Sequence, residues 1–186
     1  MAALVPVKGF GNAKQRLSPL LGRAARETLA QAMFCDVFSQ MRLARGLAGS
    51  FVVTADDNVA AIAAAADAQV IREAAENGET SAVVFGRNEL KQRGFEATLI
   101  LPGDMPLVRA RDIEQILAEV PSAAGAPFAL LVPSHDRMGT NALLLAPPAV
   151  IELRFGFDSF TFHSAQVTTR GLPLRCFENP QLALDI

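Results

Sequence analysis

Asp104 is the residue of this chain best placed for chemistry, because it follows an apolar run in a turn restricted by proline and glycine. The segment LILPGDMPL spans residues 99–107, and its apolar start predicts a buried strand over residues 97–101. Ligands of an open α/β sheet bind beyond the carboxyl ends of the strands. A carboxylate at this position could therefore hold a divalent cation. The alternative is an aspartate that only stabilises the turn leaving the strand.

A basic loop near the N-terminus supplies the opposite charge. In the segment ALVPVKGFGNAKQRL, residues 3–17, a short apolar strand leads into a loop with two glycines and with Lys8, Lys14 and Arg16. Glycines allow the backbone to approach a ligand, and backbone N–H groups with cations can bind phosphate oxygens. The pattern is neither a dinucleotide-binding fingerprint nor a P-loop. Taken by itself the loop could be a solvated basic turn, but together with Asp104 it favours a nucleotide site.

Two later clusters offer hydroxyl groups. The segment PSHDRMGTNAL, residues 133–143, joins two predicted strands through a polar turn and brings the hydroxyl of Thr140 to the start of the second strand. The segment FGFDSF, residues 155–160, contains Gly156 and Ser159. We expect Ser159 to cap the helix that follows, and a helix N-terminus can bind an anion. A cap with no ligand is the alternative.

The remaining reactive side chains are interpreted as structural. Cys35 lies in an apolar helical pattern, which predicts a core thiol, and Cys176 is far from it in sequence. No Cys/His spacing suggests zinc. We interpret His163 as a surface or partly buried helix residue, although its helix could present it to the site.

Strands and helices alternate along the chain, which predicts βαβ units and a mostly parallel sheet. We expect one α/β domain over residues 1–186. The first predicted helix has an apolar stripe at helical spacing that we interpret as core, and it consists of Leu29, Met33, Val37 and Met41, widened by Phe34 and Phe38. The predicted strands cover residues 3–7, 51–54, 69–71, 97–101 and 128–132, the predicted helices cover residues 24–45, 58–67, 80–93 and 110–120, and a loop is predicted over residues 122–127.

Composition excludes several function classes. Net charge is −2, so the chain has no global basic field for nucleic acid, and Trp and Tyr are absent. Any phosphate binding must therefore be local. Neither a signal peptide nor an apolar stretch of membrane-spanning length is evident. We expect a cytoplasmic protein with small-molecule substrates and no nucleic-acid or membrane partner. Oligomeric state stays open, with a homodimer as one option.

The motifs occur in an order that is typical of one family. VPVKGFGNAKQRL, PGDMPL, GTNALLL, FGFDSF with a following histidine, and a terminal LDI succeed one another. In this order the chain resembles, over essentially its whole length, the 2-phospho-L-lactate guanylyltransferase family of coenzyme F420 biosynthesis. That family includes members described as phosphoenolpyruvate or 3-phospho-D-glycerate guanylyltransferases. PGDMPL by itself is shared with many nucleotidyltransferases, and the other motifs are more specific.

The resemblance implies a fold and a reaction. The fold is the three-layer, Rossmann-like fold of nucleotide-diphospho-sugar transferases. The reaction transfers GMP from GTP to the phosphate of a three-carbon phosphoacid and releases pyrophosphate. The resemblance also implies that Asp104 and Asp185 bind Mg²⁺, that Lys8 and Lys14 face the triphosphate, and that Thr140, Gly156 and Ser159 bind the phosphoacid. From their positive charge we expect Lys8, Lys14 and Arg16 to stabilise the pyrophosphate as it leaves. We further expect loop backbone around Thr54 and around residues 77–81, with Gly78 and Ser81, to contact the nucleotide base.

The family segment usually continues beyond the aspartate that Asp185 matches, so we expect a truncated C-terminal tail here. Two rival hypotheses are another nucleotidyltransferase, such as a molybdenum cofactor or sugar-1-phosphate enzyme, and a non-catalytic nucleotide-binding relative. A glycine-rich LAGGxSxRMG start would favour the first hypothesis, and this chain lacks such a start.

Overall fold

The computed structural model describes residues 1–121 and 126–185. Within them, seven strands form one sheet in the order β3-β2-β1-β4-β6-β5-β7, and five α-helices flank it. The strands are β1 (Ala2–Pro6), β2 (Gly49–Thr54), β3 (Gln69–Arg72), β4 (Thr98–Ile100), β5 (Phe128–Pro133), β6 (Thr140–Ala146) and β7 (Arg175–Cys176). The helices are α1 (Arg23–Leu43), α2 (Asp57–Ala65), α3 (Glu79–Gln92), α4 (Ala110–Ala118) and α5 (Ser159–Thr169).

Most strand pairs are parallel, as the alternation predicts. β1 pairs in parallel with both β2 and β4, β2 with β3, and β5 with β7, whereas β6 runs antiparallel to β4 and β5. The antiparallel β6 arises from the short polar turn after β5, since a turn of that length reverses the chain. The carboxyl ends of β1, β2 and β4 meet at one edge, so the loops that follow them are neighbours.

Helices cover both faces of the sheet and give three layers. Alternate residues of β1 show the division, because Ala3 and Val5 pack with one cluster while Ala2 and Leu4 pack with the other. The first cluster takes buried side chains from α1, α2 and α4, and the second takes them from α3 and α5. The predicted three-layer α/β fold is therefore confirmed.

Helix α1 packs through a narrower face than the sequence suggests. The predicted core residues Met33, Phe34, Val37, Phe38 and Met41 are buried, and Leu29 is half-buried. The prediction that the thiol of Cys35 lies in the core is wrong, because Cys35 is exposed. It follows Phe34 by one residue, and successive residues of a helix point about 100° apart.

One predicted loop is described only in part. Of the loop predicted over residues 122–127, residues 122–125 lie outside the described residues. In the described ranges, none of the helices combines the length and apolar character that crossing a bilayer would require.

Candidate active site

A cleft of about 490 Å³ opens at the edge where β1, β2 and β4 end. The loop after β1 supplies one wall, with Lys8, Gly9 and Lys14. Asp104, which follows β4, supplies the floor, and the N-terminus of α3 supplies another wall. The basic loop and Asp104 are distant in sequence, and the fold brings them together as predicted. The lining includes Lys8, Lys14, Asp56, Gly78, Glu79 and Asp104.

Lys14 and Asp104 form a direct ion pair across this cleft. Lys14 Nζ lies 2.5 Å from Asp104 Oδ2, and the two side chains are 11% and 32% exposed. The backbone of Lys14 is left-handed, with φ of 53°. A residue other than glycine rarely adopts this conformation, and such strain is concentrated at functional sites. The loop therefore holds Lys14 at the cleft at some cost in conformational energy.

Gly9 is required by a close approach within the loop. A Cβ atom at Gly9 would lie 2.6 Å from Asp56 Oδ2, a distance that forces one of the two groups to move. Asp56 cannot move freely, because its Oδ1 accepts a hydrogen bond from the backbone N–H of Val59 and caps α2. The first glycine of the basic loop thus fits the loop against the α2 cap.

We expect Gly9→Ala to lower the free energy of unfolding by about 1–2 kcal/mol, the typical worth of the cap that it displaces. Urea unfolding measures this loss. Gly103→Ala is a matched control, since its Cβ would lie 3.5 Å from the nearest atom, an ordinary contact. In an Asp56→Ala background the cost of Gly9→Ala should largely disappear. Equal costs in both backgrounds would show that the clash with Asp56 is not the cause.

Glu79 is a site residue that the sequence analysis missed. It begins α3, lines the cleft and is half-buried. Burial raises the pKa of its carboxyl group, the negative charges of Asp104 and Asp185 raise it further, and the positive charge of Lys8 opposes them. The carboxylates of Asp104 and Asp185 therefore lie close enough to disfavour a negative charge on Glu79. In sequence, Glu79 is only an ordinary acidic residue in the first turn of a helix.

The cleft has more acidic than basic residues in its lining. Such a lining suits a site where a bound cation helps to hold an anionic ligand. Besides Lys8 and Lys14 the cleft is lined by five acidic residues: Asp56, Glu73, Glu76, Glu79 and Asp104. In the part of the chain that the structure describes, no three His, Cys, Asp or Glu side chains are arranged as a complete metal site. Mg²⁺ does not need such a set, since it usually binds through one or two carboxylates, water and substrate phosphates. The oxygen donors present here fit that mode.

The C-terminal segment is fixed in place beside the cleft. Asn141 Nδ2 donates to Asp185 Oδ1 at 3.2 Å and to the backbone carbonyl of Leu182 at 3.0 Å. Asn179 Nδ2 donates to Asp112 Oδ1 at 3.0 Å. Two amide side chains therefore hold this segment so that the exposed Asp185 lies near Glu79.

Thr140 and Ser159, predicted from separate motifs, are in direct contact. The backbone N–H of Thr140 donates to Ser159 Oγ at 2.9 Å, and Thr140 Oγ1 lies 2.9 Å from His163 Nδ1. All three residues are buried, with His163 0% exposed, so the interpretation of His163 as a surface or partly buried residue is wrong. The expectation that Ser159 caps the helix is also wrong. Asp158 occupies the cap position, and the Ser159 hydroxyl instead accepts from Thr140.

This hydroxyl cluster lies outside the lining of the cleft but is linked to it through α3. The backbone N–H of Phe155 donates to Thr80 Oγ1 at 2.9 Å, and Thr80 follows Glu79 directly. Gly156 is exposed, and its φ of 103° favours glycine. Phe155 thus connects the segment before α5 to the first turn of α3, whose residue Glu79 lines the cleft.

Of three further residues predicted for the site, one lines the cleft and two do not. Gly78 lines the cleft with φ of 90° immediately before α3. Arg16 and Ser81 are exposed and do not line it. Arg16 lies in a short 3-10 helix, Gln15–Leu17, that follows the strained backbone of Lys14.

The buried His163 makes stability depend on pH. Burial, together with the positive charges of Arg154 and Arg87, lowers the pKa of His163 from 6.5 to about 4. Between these values the unfolded chain binds a proton that the folded chain does not. We therefore expect this residue to lower the free energy of unfolding by about 1.4 kcal/mol per unit as pH falls from about 6.5 to 4.

Urea unfolding across this pH range, compared between wild type and His163→Asn, isolates the effect. The comparison is needed because the raised pKa of Glu79 acts in the opposite direction. Parallel pH profiles for the two proteins would contradict the assignment.

Comparisons with known proteins show the family of this chain. The family model described as "Guanylyl transferase CofC like" matches residues 1–186. A phosphoenolpyruvate guanylyltransferase from Conexibacter woesei is 35% identical over 99% of this chain and 82% of that protein. A 2-phospho-L-lactate guanylyltransferase from Methanothermobacter thermautotrophicus is 32% identical over 99% and 78%. A 3-phospho-D-glycerate guanylyltransferase from Colwellia psychrerythraea is 31% identical over 98% and 85%.

The fold has matches among solved structures. A protein from Desulfovibrio desulfuricans G20, assigned as a nucleotide-diphospho-sugar transferase, aligns with a TM-score of 0.77 at 15% identity, over 95% of this chain and 79% of that chain. This likeness supports the Rossmann-like transferase fold, and the match of the family model identifies the family. The chain belongs to the CofC-like guanylyl transferase family.

Proposed function

We propose that this protein transfers GMP from GTP to the phosphate of a small phosphoacid and releases pyrophosphate. The observation that carries the proposal is the Lys14–Asp104 pair in a cleft at the strand ends, in a chain of the guanylyl transferase family. The candidate acceptors are phosphoenolpyruvate, 2-phospho-L-lactate and 3-phospho-D-glycerate. The resemblance of the motifs supports a place for the reaction in coenzyme F420 biosynthesis, and we extend the proposal to a cytoplasmic location and to a homodimer as one option.

The proposed reaction needs no general base. A phosphate oxygen of the acceptor is already ionised at neutral pH, and it attacks the α-phosphorus of GTP while pyrophosphate leaves from the opposite side. The barrier comes from bringing two polyanions together in line, so positioning and charge neutralisation are what the protein must supply. The neutral His163 is consistent with this requirement, since burial keeps it from acting as an acid near pH 7.

The cleft residues divide these tasks. Lys14, released from Asp104 when the nucleotide arrives, and Lys8 stabilise the charge that accumulates on the leaving pyrophosphate. Asp104 and Asp185 would hold Mg²⁺, which supplies charge neutralisation between the two polyanions. Gly78 and the N-terminus of α3 offer backbone N–H groups to an anion at the cleft wall.

The adjoining hydroxyl cluster is proposed to bind the acceptor. Thr140 and Ser159 are neighbours, and the loop before α5 that carries Gly156 contacts α3 through Thr80. A phosphoacid held there lies next to the nucleotide cleft, which is the arrangement that an in-line attack requires.

Thr140→Val and Ser159→Ala test this division of the site. Each variant loses one hydroxyl, and we expect kcat/KM for the acceptor to fall by about 10-fold to 150-fold, as for one hydrogen bond to a charged group. The KM for GTP should change little. Thr140→Ser keeps the hydroxyl and serves as the matched control.

Thermal unfolding must accompany these assays, because Ser159→Ala leaves the buried N–H of Thr140 without its acceptor. Steady-state kinetics with each substrate varied in turn give the two KM values. Loss of GTP affinity with an unchanged acceptor KM would move this cluster to the nucleotide.

A further inference from the structure

We propose that His163 is a positioning residue that turns the hydroxyl of Thr140 into a hydrogen-bond donor for the anionic acceptor. The inference rests on the proposed function, and it goes beyond it by assigning a role to a side chain that lies outside the cleft. It concerns which atom carries each proton in the cluster formed by Thr140, Ser159 and His163.

The tautomer of His163 follows from its two partners. The backbone N–H of Arg154 points at His163 Nε2, with 3.1 Å between the nitrogens. A backbone N–H is only a donor, so Nε2 must carry the lone pair. The neutral imidazole then carries its hydrogen on Nδ1. Nδ1–H therefore donates to Thr140 Oγ1, 2.9 Å away.

This donation decides what Thr140 can do for a ligand. A hydroxyl oxygen that accepts from an imidazole still has one hydrogen to donate. Ser159 is arranged in the same way, because its Oγ accepts from the backbone N–H of Thr140. Both hydroxyls thus use their oxygens inside the protein and present hydrogens to an anion. If His163 instead accepted the hydrogen bond from Thr140, that hydroxyl would have no hydrogen left for a ligand. It could then face a phosphate or carboxylate only with its oxygen, and the two oxygens would repel each other.

The surroundings of His163 fix its ring in this orientation. The rings of Phe155 and Phe162 pack edge-on against it, with centroid distances of 5.2 and 5.8 Å. The guanidinium group of Arg154 lies 4.4 Å from the ring centroid of Phe162 and so packs against one of these two rings. Burial and the nearby Arg154 and Arg87 also keep the imidazole neutral at physiological pH, because they lower its pKa to about 4.

The same backbone segment connects the cluster to the cleft. Arg154 donates to His163, and the next residue, Phe155, donates to Thr80 beside Glu79. His163 therefore lies between the acceptor hydroxyls and the segment that sets their distance from α3. A change at His163 should alter acceptor binding and leave the basic loop at the other side of the cleft unaffected.

Two variants of His163, and a double variant compared with Thr140→Val, test the role in catalysis. His163→Leu removes the donor that keeps the Thr140 hydrogen free for the acceptor. We expect the acceptor KM to rise about tenfold, with the GTP KM within about twofold of wild type. His163→Asn, whose amide can donate from near the Nδ1 position, should recover part of the loss. His163→Leu combined with Thr140→Val should be no worse than Thr140→Val alone, because His163 acts through that hydroxyl.

Equal rises of both KM values, or additive losses in the double variant, would overturn the proposal. Circular dichroism and thermal unfolding identify any variant that fails to fold. In that event the decision rests on wild-type protein, in which nitrogen-15 NMR of the imidazole reports the tautomer directly.

The NMR spectrum also separates this inference from the proposed function. At pH 7 we expect a protonated Nδ1 and an unprotonated Nε2, both in the free protein and with phosphoenolpyruvate added as the probe. A hydrogen on Nε2 would overturn the inference even in an active enzyme. Absence of guanylylated product from wild-type protein, with the Nδ1–H tautomer observed, would overturn the proposed function and with it the role in acceptor binding.

Discussion

Asp104→Asn is expected to lower kcat by about 100-fold or more while the protein stays folded. The amide preserves the volume of the side chain but removes the charge that pairs with Lys14 and that a divalent cation requires. Because both functions act on the charge of the transition state, the loss should exceed that of a single neutral hydrogen bond. Initial rates of pyrophosphate release at saturating GTP and acceptor measure it.

Asp67→Asn is the matched control for this variant. Asp67 also pairs with a basic residue, Arg42 at 3.3 Å, but it is exposed and does not line the cleft. The same chemical change there should leave turnover unaltered. Activity of Asp104→Asn within about tenfold of wild type, or roughly 1.4 kcal/mol in the barrier, would show that Asp104 is not the main carboxylate of the site.

Lys14→Ala is expected to impair the use of GTP far more than the use of the acceptor. Lys14 is only 11% exposed and points into the cleft, where its proposed partner is the triphosphate. Loss of one charge-assisted hydrogen bond of about 1.5–3 kcal/mol corresponds to a decrease of about 10-fold to 150-fold in kcat/KM for GTP. Removal of the lysine also leaves Asp104 without its ion-pair partner, which adds to the effect on kcat.

Lys91→Ala provides the comparison, since Lys91 is an exposed lysine in the last turn of α3, away from the cleft. Its kinetics should match wild type with either substrate varied. If Lys14→Ala keeps its GTP KM and kcat, then the ion pair with Asp104 stabilises the fold only and the basic loop does not contact the nucleotide.

The position of Asp104 could be predicted because its signals are local. An apolar run, a Pro-Gly turn and a carboxylate in succession predict a strand end followed by an acid, and the structure confirms the strand, which pairs with β1. The meeting of the basic loop with Asp104 follows from a general rule of α/β sheets and needs no knowledge of packing.

Glu79 and His163 could not be placed in the same way. The raised pKa of Glu79 comes from burial and from Asp104 and Asp185, which are close only in the folded chain. His163 is a polar residue in a helix without a clear apolar stripe, and it is buried because Arg154 and Thr140 satisfy both of its nitrogens. Such tertiary compensation leaves no signal in residue spacing.

The two local errors have physical causes as well. Cys35 lies among apolar residues of α1 but on the side of the helix that faces away from the sheet. Ser159 is a common capping residue type, yet Asp158 precedes it in a left-handed conformation, and this shifts the helix start to Ser159. The Ser159 hydroxyl is then available to accept from Thr140, which is how it joins the proposed acceptor site.

Incubation of the protein with GTP, Mg²⁺ and each of the three phosphoacids, followed by mass spectrometry, tests the central claim most directly. We predict that at least one phosphoacid gains a GMP group, with one pyrophosphate released per product and no product when ATP or CTP replaces GTP. Folded protein that forms no such product from GTP with phosphoenolpyruvate, 2-phospho-L-lactate or 3-phospho-D-glycerate would contradict the proposed function.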